Sequence, residues 1–205
     1  MLFEYAYPIL VEAERAAGQG DEAGAFAHLR KLSLDDFGLL LLGMPHPHFP
    51  AMSRLLPRMA SADVQRNWTG SDGITLLCQS LNFVRTVSSR FELETGRRLS
   101  AARILDYGCG YGRLLRLMMY FADISQLAGC DPWEQSIGIC RDDGIRCRLD
   151  VTEYLPTSMP YPQGSFDFMY AFSVFTHTSL RATRAALDAL RPAISADGLL
   201  AMTIR

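Results

Sequence analysis

The chain has no surplus of charge of either sign: 20 Lys and Arg stand against 22 Asp and Glu, a formal net charge of -2 over 205 residues. A nucleic-acid partner usually shows as a basic surplus, so no nucleic-acid partner is expected. No leader signal is expected either, because MLFEYAYPILVEAER has no basic start and Glu4 interrupts its apolar run. The longest apolar run, 37–44, is too short to cross a bilayer, and no membrane partner is expected. The five cysteines, at 78, 109, 130, 140 and 147, are odd in number and form no CxxC pair. That argues against a disulfide framework and against a zinc site, and favours reduced thiols in a cytoplasmic protein. His46 and His48 form an H-x-H in a proline-rich stretch without a further ligand close by, so no metal is expected. Internal repeats and low-complexity segments are absent.

What is present is ordinary globular material, 49% apolar and 20% charged. The length suits one well-buried domain, with or without a helical appendage. Two stretches differ in pattern. Residues 1–100 show helical periodicity: a helix over about 2–17 stopped by Gly18-Gln19-Gly20, one over 22–32 capped by Asp21, and one capped by Ser33 ending near Gly43. The three prolines of 44–50 predict irregular chain, and Asn67-Trp68-Thr69-Gly70 a turn. A long helix over 73–95 follows, with Leu76, Leu77, Leu81, Val84, Val87 and Phe91 on one face and Gly96 at its end.

Residues 101–205 alternate short apolar runs with helical segments, which predicts an α/β fold: a Rossmann-like, doubly wound, mainly parallel sheet of about five strands. The strands fall at 103–107, 126–130, 145–149, 166–172 and 199–204, with helices over 111–121, 133–142 and 180–190. The helical stretch before it is read as an N-terminal cap.

In an open α/β sheet, ligands bind beyond the C-terminal strand ends, so the residues there carry the chemistry. Strand one delivers Asp106-Tyr107-Gly108-Cys109-Gly110-Tyr111-Gly112, an acid followed by three alternating glycines. The dinucleotide fingerprint needs a third glycine where this chain has Arg113, so its pyrophosphate packing is broken. A nicotinamide-dependent oxidoreductase is thus the weaker enzyme reading. Asp131 ends strand two, where a carboxylate can accept from ribose hydroxyls, and Pro132-Trp133 offer a flat apolar surface. Asp150-Val151 end strand three, and Phe172-Ser173 lead from strand four to His177.

The segments ILDYGCGYGRLLR (104–116), GCDPW (129–133), LDVTEYLP (149–156), GSFDFMYAFSVFTH (164–177) and LRPAISADGLLAMTIR (190–205) resemble class I S-adenosylmethionine (SAM)-dependent methyltransferases. The resemblance covers about half the chain, all after residue 100. It implies SAM as cofactor, with Asp106, Gly108, Gly110 and Gly112, and their neighbours Tyr107 and Cys109, around the methionine moiety. It implies Asp131, Pro132 and Trp133 at the ribose and adenine, Asp150 and Val151 at the adenine edge, and Phe172 and Ser173 beside the reacting centre. The FSVFTH stretch looks like a subgroup associated with small-molecule or sugar modification, which implies a small-molecule acceptor. His177 is the candidate general base, against a structural role in its loop. A non-catalytic partner subunit with the same fold is the alternative. Such domains usually continue past strand five into an antiparallel pair, whereas this sequence stops at Arg205; an exposed strand-five edge would favour a homo-oligomer.

Overall fold

The computed structural model describes residues 4–204. The start of the first expected helix, at residues 2 and 3, lies outside the described residues. The helical stretch comprises α1 (Tyr7–Gly18), α2 (Glu22–Leu29), α3 (Leu34–Leu42), α4 (Pro50–Leu55), α5 (Ala62–Thr69) and α6 (Gly73–Thr95). The second half runs β1 (Ile104–Tyr107), α7 (Arg113–Met118), β2 (Leu127–Asp131), α8 (Glu134–Asp142), β3 (Arg148–Val151), β4 (Phe166–Ala171), α9 (Leu180–Leu190) and β5 (Ile194–Met202).

The helix signals act where the sequence places them. The Asp21 side chain accepts from the Gly24 N–H at the start of α2, and Ser33 accepts from Asp36 N–H at the start of α3. Gly96 adopts φ 68° and stops α6, whose buried face includes the six apolar residues named above.

Two helices were not expected. α4 has no side-chain cap of its own; its first N–H groups, those of Ala51 and Met52, donate to the Glu14 carboxylate of α1 at 2.7 and 2.8 Å. α5 is capped by Ser61 and closed by Gly70 at φ 74°, so 67–69 form its last turn rather than a free turn. The helix after the glycine loop is shorter than expected, and Asp72 caps no N–H of α6, pairing instead with Arg66.

The sheet has five strands, all parallel, in the order β3-β2-β1-β4-β5. The chain winds outward from β1 to β3, then crosses back to β4 and β5. The winding therefore reverses between β1 and β4, and the crevice above that point is the favoured ligand position. Strands β1 and β4 are buried along their whole length, as central parallel strands covered on both faces must be.

Their side chains alternate between two cores. Ile104, Leu127, Phe168 and Tyr170 face a core shared with α1–α3, α6, α7 and α8, while Leu105, Ala128 and Met169 face a second core closed by α9. The N-terminal helices therefore share one core with the sheet. Two strand ranges are corrected. β3 starts at Arg148, because Ile145 and Cys147 are turned into the core before pairing begins, and β5 starts at Ile194, with an irregularity opposite Phe166–Phe168. No helix among the described residues is long and apolar enough to cross a membrane.

Candidate active site

A cleft of about 710 Å³ opens at the switch point. Asp106 of β1 forms its floor and is only 2% exposed. Burial pushes its carboxyl up to about 8, and the nearby Asp131 charge adds to the rise. The Tyr170 hydroxyl beside it is buried without a well-formed hydrogen bond. Among the described residues no cation is in contact with this acid, and its burial favours the protonated form.

The loop after β1 turns through Gly108, Gly110 and Gly112, all at positive φ. Two of these glycines serve packing inside the protein. A Cβ on Gly108 would lie 2.4 Å from Val174 Cγ2, and one on Gly112 would lie 2.2 Å from Ile145 Cδ1. Gly112 accordingly does not line the cleft, and neither does Tyr107, which turns into the α9 core. Cys109 lines the cleft but is buried, and its thiol is pushed well above its ordinary value by the adjoining Cys140 and by burial. It is not an activated nucleophile.

Asp131 at the end of β2 is held firmly. Its Oδ2 accepts from Gly110 N–H at 3.0 Å; its Oδ1 accepts from Trp133 N–H at 2.9 Å and from the Ser136 hydroxyl at 3.2 Å. A carboxylate offers about four acceptor positions, so one stays open, and a second opens if Ser136 turns away. Trp133 stacks on Trp68 at 4.8 Å and 17°, and Trp68 meets Tyr111 edge-on at 5.6 Å. Trp68 comes from α5 of the helical region and roofs Gly110. Thr69 and Gln79 join it on the same wall.

Asp150 and Val151 do not line this cleft. The Asp150 carboxylate is engaged by Arg148 Nε at 2.8 Å, and Val151 borders a separate hollow of about 290 Å³ with Thr152 and Met159.

At the β4 end, Phe172, Ser173 and His177 all line the cleft. Ser173 is held at φ 60°, a conformation costly for a residue with a side chain, and its N–H donates to Thr203 Oγ1 at 2.6 Å. His177 is exposed; its backbone N–H donates to the Val174 carbonyl at 3.0 Å, while its imidazole makes no hydrogen bond among the described residues. No group of three or more metal-ligating side chains occurs among the described residues.

An all-parallel sheet with a glycine loop and two strand-end acids at its switch point places this cleft where open α/β proteins bind their ligands. Residues 105–202 match the family model described as a methyltransferase domain. The match spans just under half of the chain, and over that segment the chain is similar to this family. No curated protein sequence matches the chain significantly.

Among solved structures, it is similar to the plantazolicin methyltransferase BpumL in complex with SAH and a pentazolic desmethylPZN analog. That match has a TM-score of 0.52 at 18% identity and covers 82% of this chain and 57% of that one. It is also similar to the PH0226 protein from Pyrococcus horikoshii OT3, with a TM-score of 0.48 at 17% identity, covering 59% and 56%. A SAM-dependent methyltransferase from Mesorhizobium loti gives 0.46 at 20% identity, covering 59% and 50%. At these identities the likeness is one of fold. The chain spans about half the length of these solved structures.

Proposed function

We propose that this chain binds SAM in the switch-point cleft and directs its methyl group to a small-molecule or sugar-like acceptor. The observation that carries the reading is the convergence of Asp106, the glycine loop and Asp131 on one cleft, with Ser173 and His177 facing the same space. The residues suit the cofactor's functional groups. Asp106 is a buried carboxyl that lacks a cation in contact, and an ammonium group there would draw it into its charged form. Asp131 keeps an acceptor position for a ribose hydroxyl. Bound SAM supplies a methyl group already activated by its sulfonium charge.

What remains for the protein is orientation, which can be worth about 7–11 kcal/mol in favourable cases. Ser173, held by Thr203, and Phe172 shape the β4 side, where the acceptor enters. His177 is placed to take a proton from an oxygen acceptor, a contribution of about 10²–10⁴-fold where a base is needed. The helical region supplies Trp68, Thr69 and Gln79, so it shapes the pocket rather than decorating it. We propose further that the free side of β5 supports self-association.

Calorimetric titration of S-adenosylhomocysteine (SAH) into the purified chain, beside Asp131→Ala, tests the reading. Loss of a charged hydrogen-bonding partner costs about 1.5–3 kcal/mol, roughly ten- to a hundred-fold in affinity. Binding that weakens in the variant supports the site. A folded chain that binds no adenosyl ligand overturns it.

A further inference from the structure

Tyr170 is buried without using its hydroxyl. It lies in the middle of β4 with no surface exposed, and its ring packs against Phe83 of α6 at 6.0 Å and Phe168 at 5.8 Å. A phenylalanine ring would fill the same space. The hydroxyl is closed off from water and makes no well-formed hydrogen bond among the described residues. A buried polar group without a partner costs stability, so packing alone gives no reason for a tyrosine here.

The sheet register supplies one. Asp106 of β1 and Tyr170 of β4 are direct partners across the parallel pair, so both side chains stand on the same face of the sheet. The acid is nearly as buried as the tyrosine, and the hydroxyl is close enough to favour its charged form. An ionised carboxylate is acceptor-only, and a hydroxyl that donates to it forms a charge-assisted bond, about twice as strong as one to a neutral group. The other titratable groups that act on Asp106 are Asp131 at the end of β2, Arg113 of α7, and the Cys109, Cys130 and Cys147 thiols. Asp131 opposes ionisation, Arg113 favours it from a distance, and burial keeps the three thiols neutral. Of these groups, only Tyr170 is placed to donate a hydrogen bond to the carboxyl.

We propose that Tyr170 is a positioning residue that acts through Asp106: its hydroxyl donates to the carboxylate once a cationic ligand group ionises the acid, and holds it against that ligand. The inference rests on the SAM reading above and adds to it the group that makes a buried Asp106 ionisable.

The test is a set of calorimetric titrations of the full chain, wild type and Tyr170→Phe, at pH 6 and pH 9. The ligands are SAH and 5′-methylthioadenosine, which lacks the amino group. Loss of a hydrogen bond to a charged group is worth about tenfold or more, and it moves the titration of the acid up by about one pH unit or more. SAH should therefore bind Tyr170→Phe about tenfold more weakly at pH 6. The gap should narrow at pH 9, where the wild-type acid, with its pKa of about 8, is already ionised. Methylthioadenosine should bind both proteins alike. At pH 6 the denaturation midpoint of the variant should equal or exceed that of the wild type, because the fold loses only an unpaired hydroxyl. In an Asp106→Asn background, Tyr170→Phe should lose most of its effect on SAH. Equal SAH affinities at pH 6, a gap indifferent to pH, an equal loss of methylthioadenosine binding, or an effect undiminished in Asp106→Asn each overturns the inference. A Tyr170→Phe chain that fails to fold overturns it too, since the hydroxyl would then serve the fold. Absence of any adenosyl-ligand binding by folded wild type overturns the SAM reading as well, so the two failures are distinct.

Discussion

Asp106 is the residue whose environment most constrains the chemistry. Its folded-state pKa of about 8 lies above the unfolded carboxylate value of about 3.9. The stability linked to this group is therefore intact below about pH 4 and is lost as pH rises through 8. Urea denaturation at pH 5 and pH 9 should show wild type losing stability at the higher pH, and Asp106→Asn losing less. Ligand binding has the opposite slope. An ammonium-bearing ligand needs the ionised acid, so SAH affinity should climb by up to about tenfold per pH unit between roughly pH 6 and 8. Asp106→Asn should flatten that climb, and a wild-type affinity that falls over this range would refute the assignment.

Gly112 acts differently from the way its motif suggests. Its φ of 76° and the 2.2 Å approach of Ile145 Cδ1 leave no room for a Cβ. Gly112→Ala should lower the melting temperature, by about 2–4 °C per kcal/mol lost, before any direct effect on ligand contacts.

At the scale of elements, the cleft depends on how the helical region is tied to the sheet. Arg116 joins the 56–61 segment, through the Arg58 carbonyl, to the glycine loop, through the Tyr111 carbonyl, and to the end of α8, through Asp143. Removing one member of a buried ion pair costs up to about 3–5 kcal/mol, and less here because Arg58 still pairs with the partly exposed Asp143 at 3.9 Å. Arg116→Met should lower the chemical-denaturation midpoint by a corresponding amount; a change below about 1 kcal/mol would show that the network relaxes around the loss. α5 brings Trp68 against Trp133 over Gly110. These are the chain's only two tryptophans, so their emission reports this wall directly. SAH binding should shift the emission in wild type, and Trp68→Phe should remove most of that response. An unchanged spectrum under saturating SAH would place the ligand away from this wall.

These elements also separate what local sequence encodes from what it does not. α2, α3 and α6 were legible because their stop or cap residues lie within a few positions of the helix. α4 was not, because the carboxylate that satisfies its first N–H groups comes from Glu14, in another helix. Asp106 and Asp131 were legible because strand ends of a parallel sheet fix where a side chain emerges. Trp68 reaches the cleft only through tertiary packing, so its neighbours in sequence suggested a turn. Asp150 is the reverse case. Its partner Arg148 lies two residues earlier on the same strand, on the same side of the pleat, a local signal that places the acid in an ion pair outside the main cleft.

Across the whole molecule, the five-stranded sheet has two outer strands of different character. β3 is short and carries the Arg148–Asp150 pair, a charged edge of the kind that discourages strand addition. β5 is longer, and its Leu199, Leu200 and Ala201 are only partly covered, with Met202 38% exposed. Its two faces pack on the two cores, so what it presents outward is a row of backbone groups beside apolar side chains. Such an edge pairs readily with another chain. Light scattering coupled to size exclusion should therefore show association that grows with protein concentration, and Met202→Lys should weaken it by placing a charge on the edge. SAH binding should be little changed in that variant, because Met202 lies outside the cleft lining. A protein that stays monomeric at every concentration, with the same mass for wild type and variant, would mean that β5 is not an assembly edge. Its partly covered leucines would then be accounted for by α6 and α9 alone.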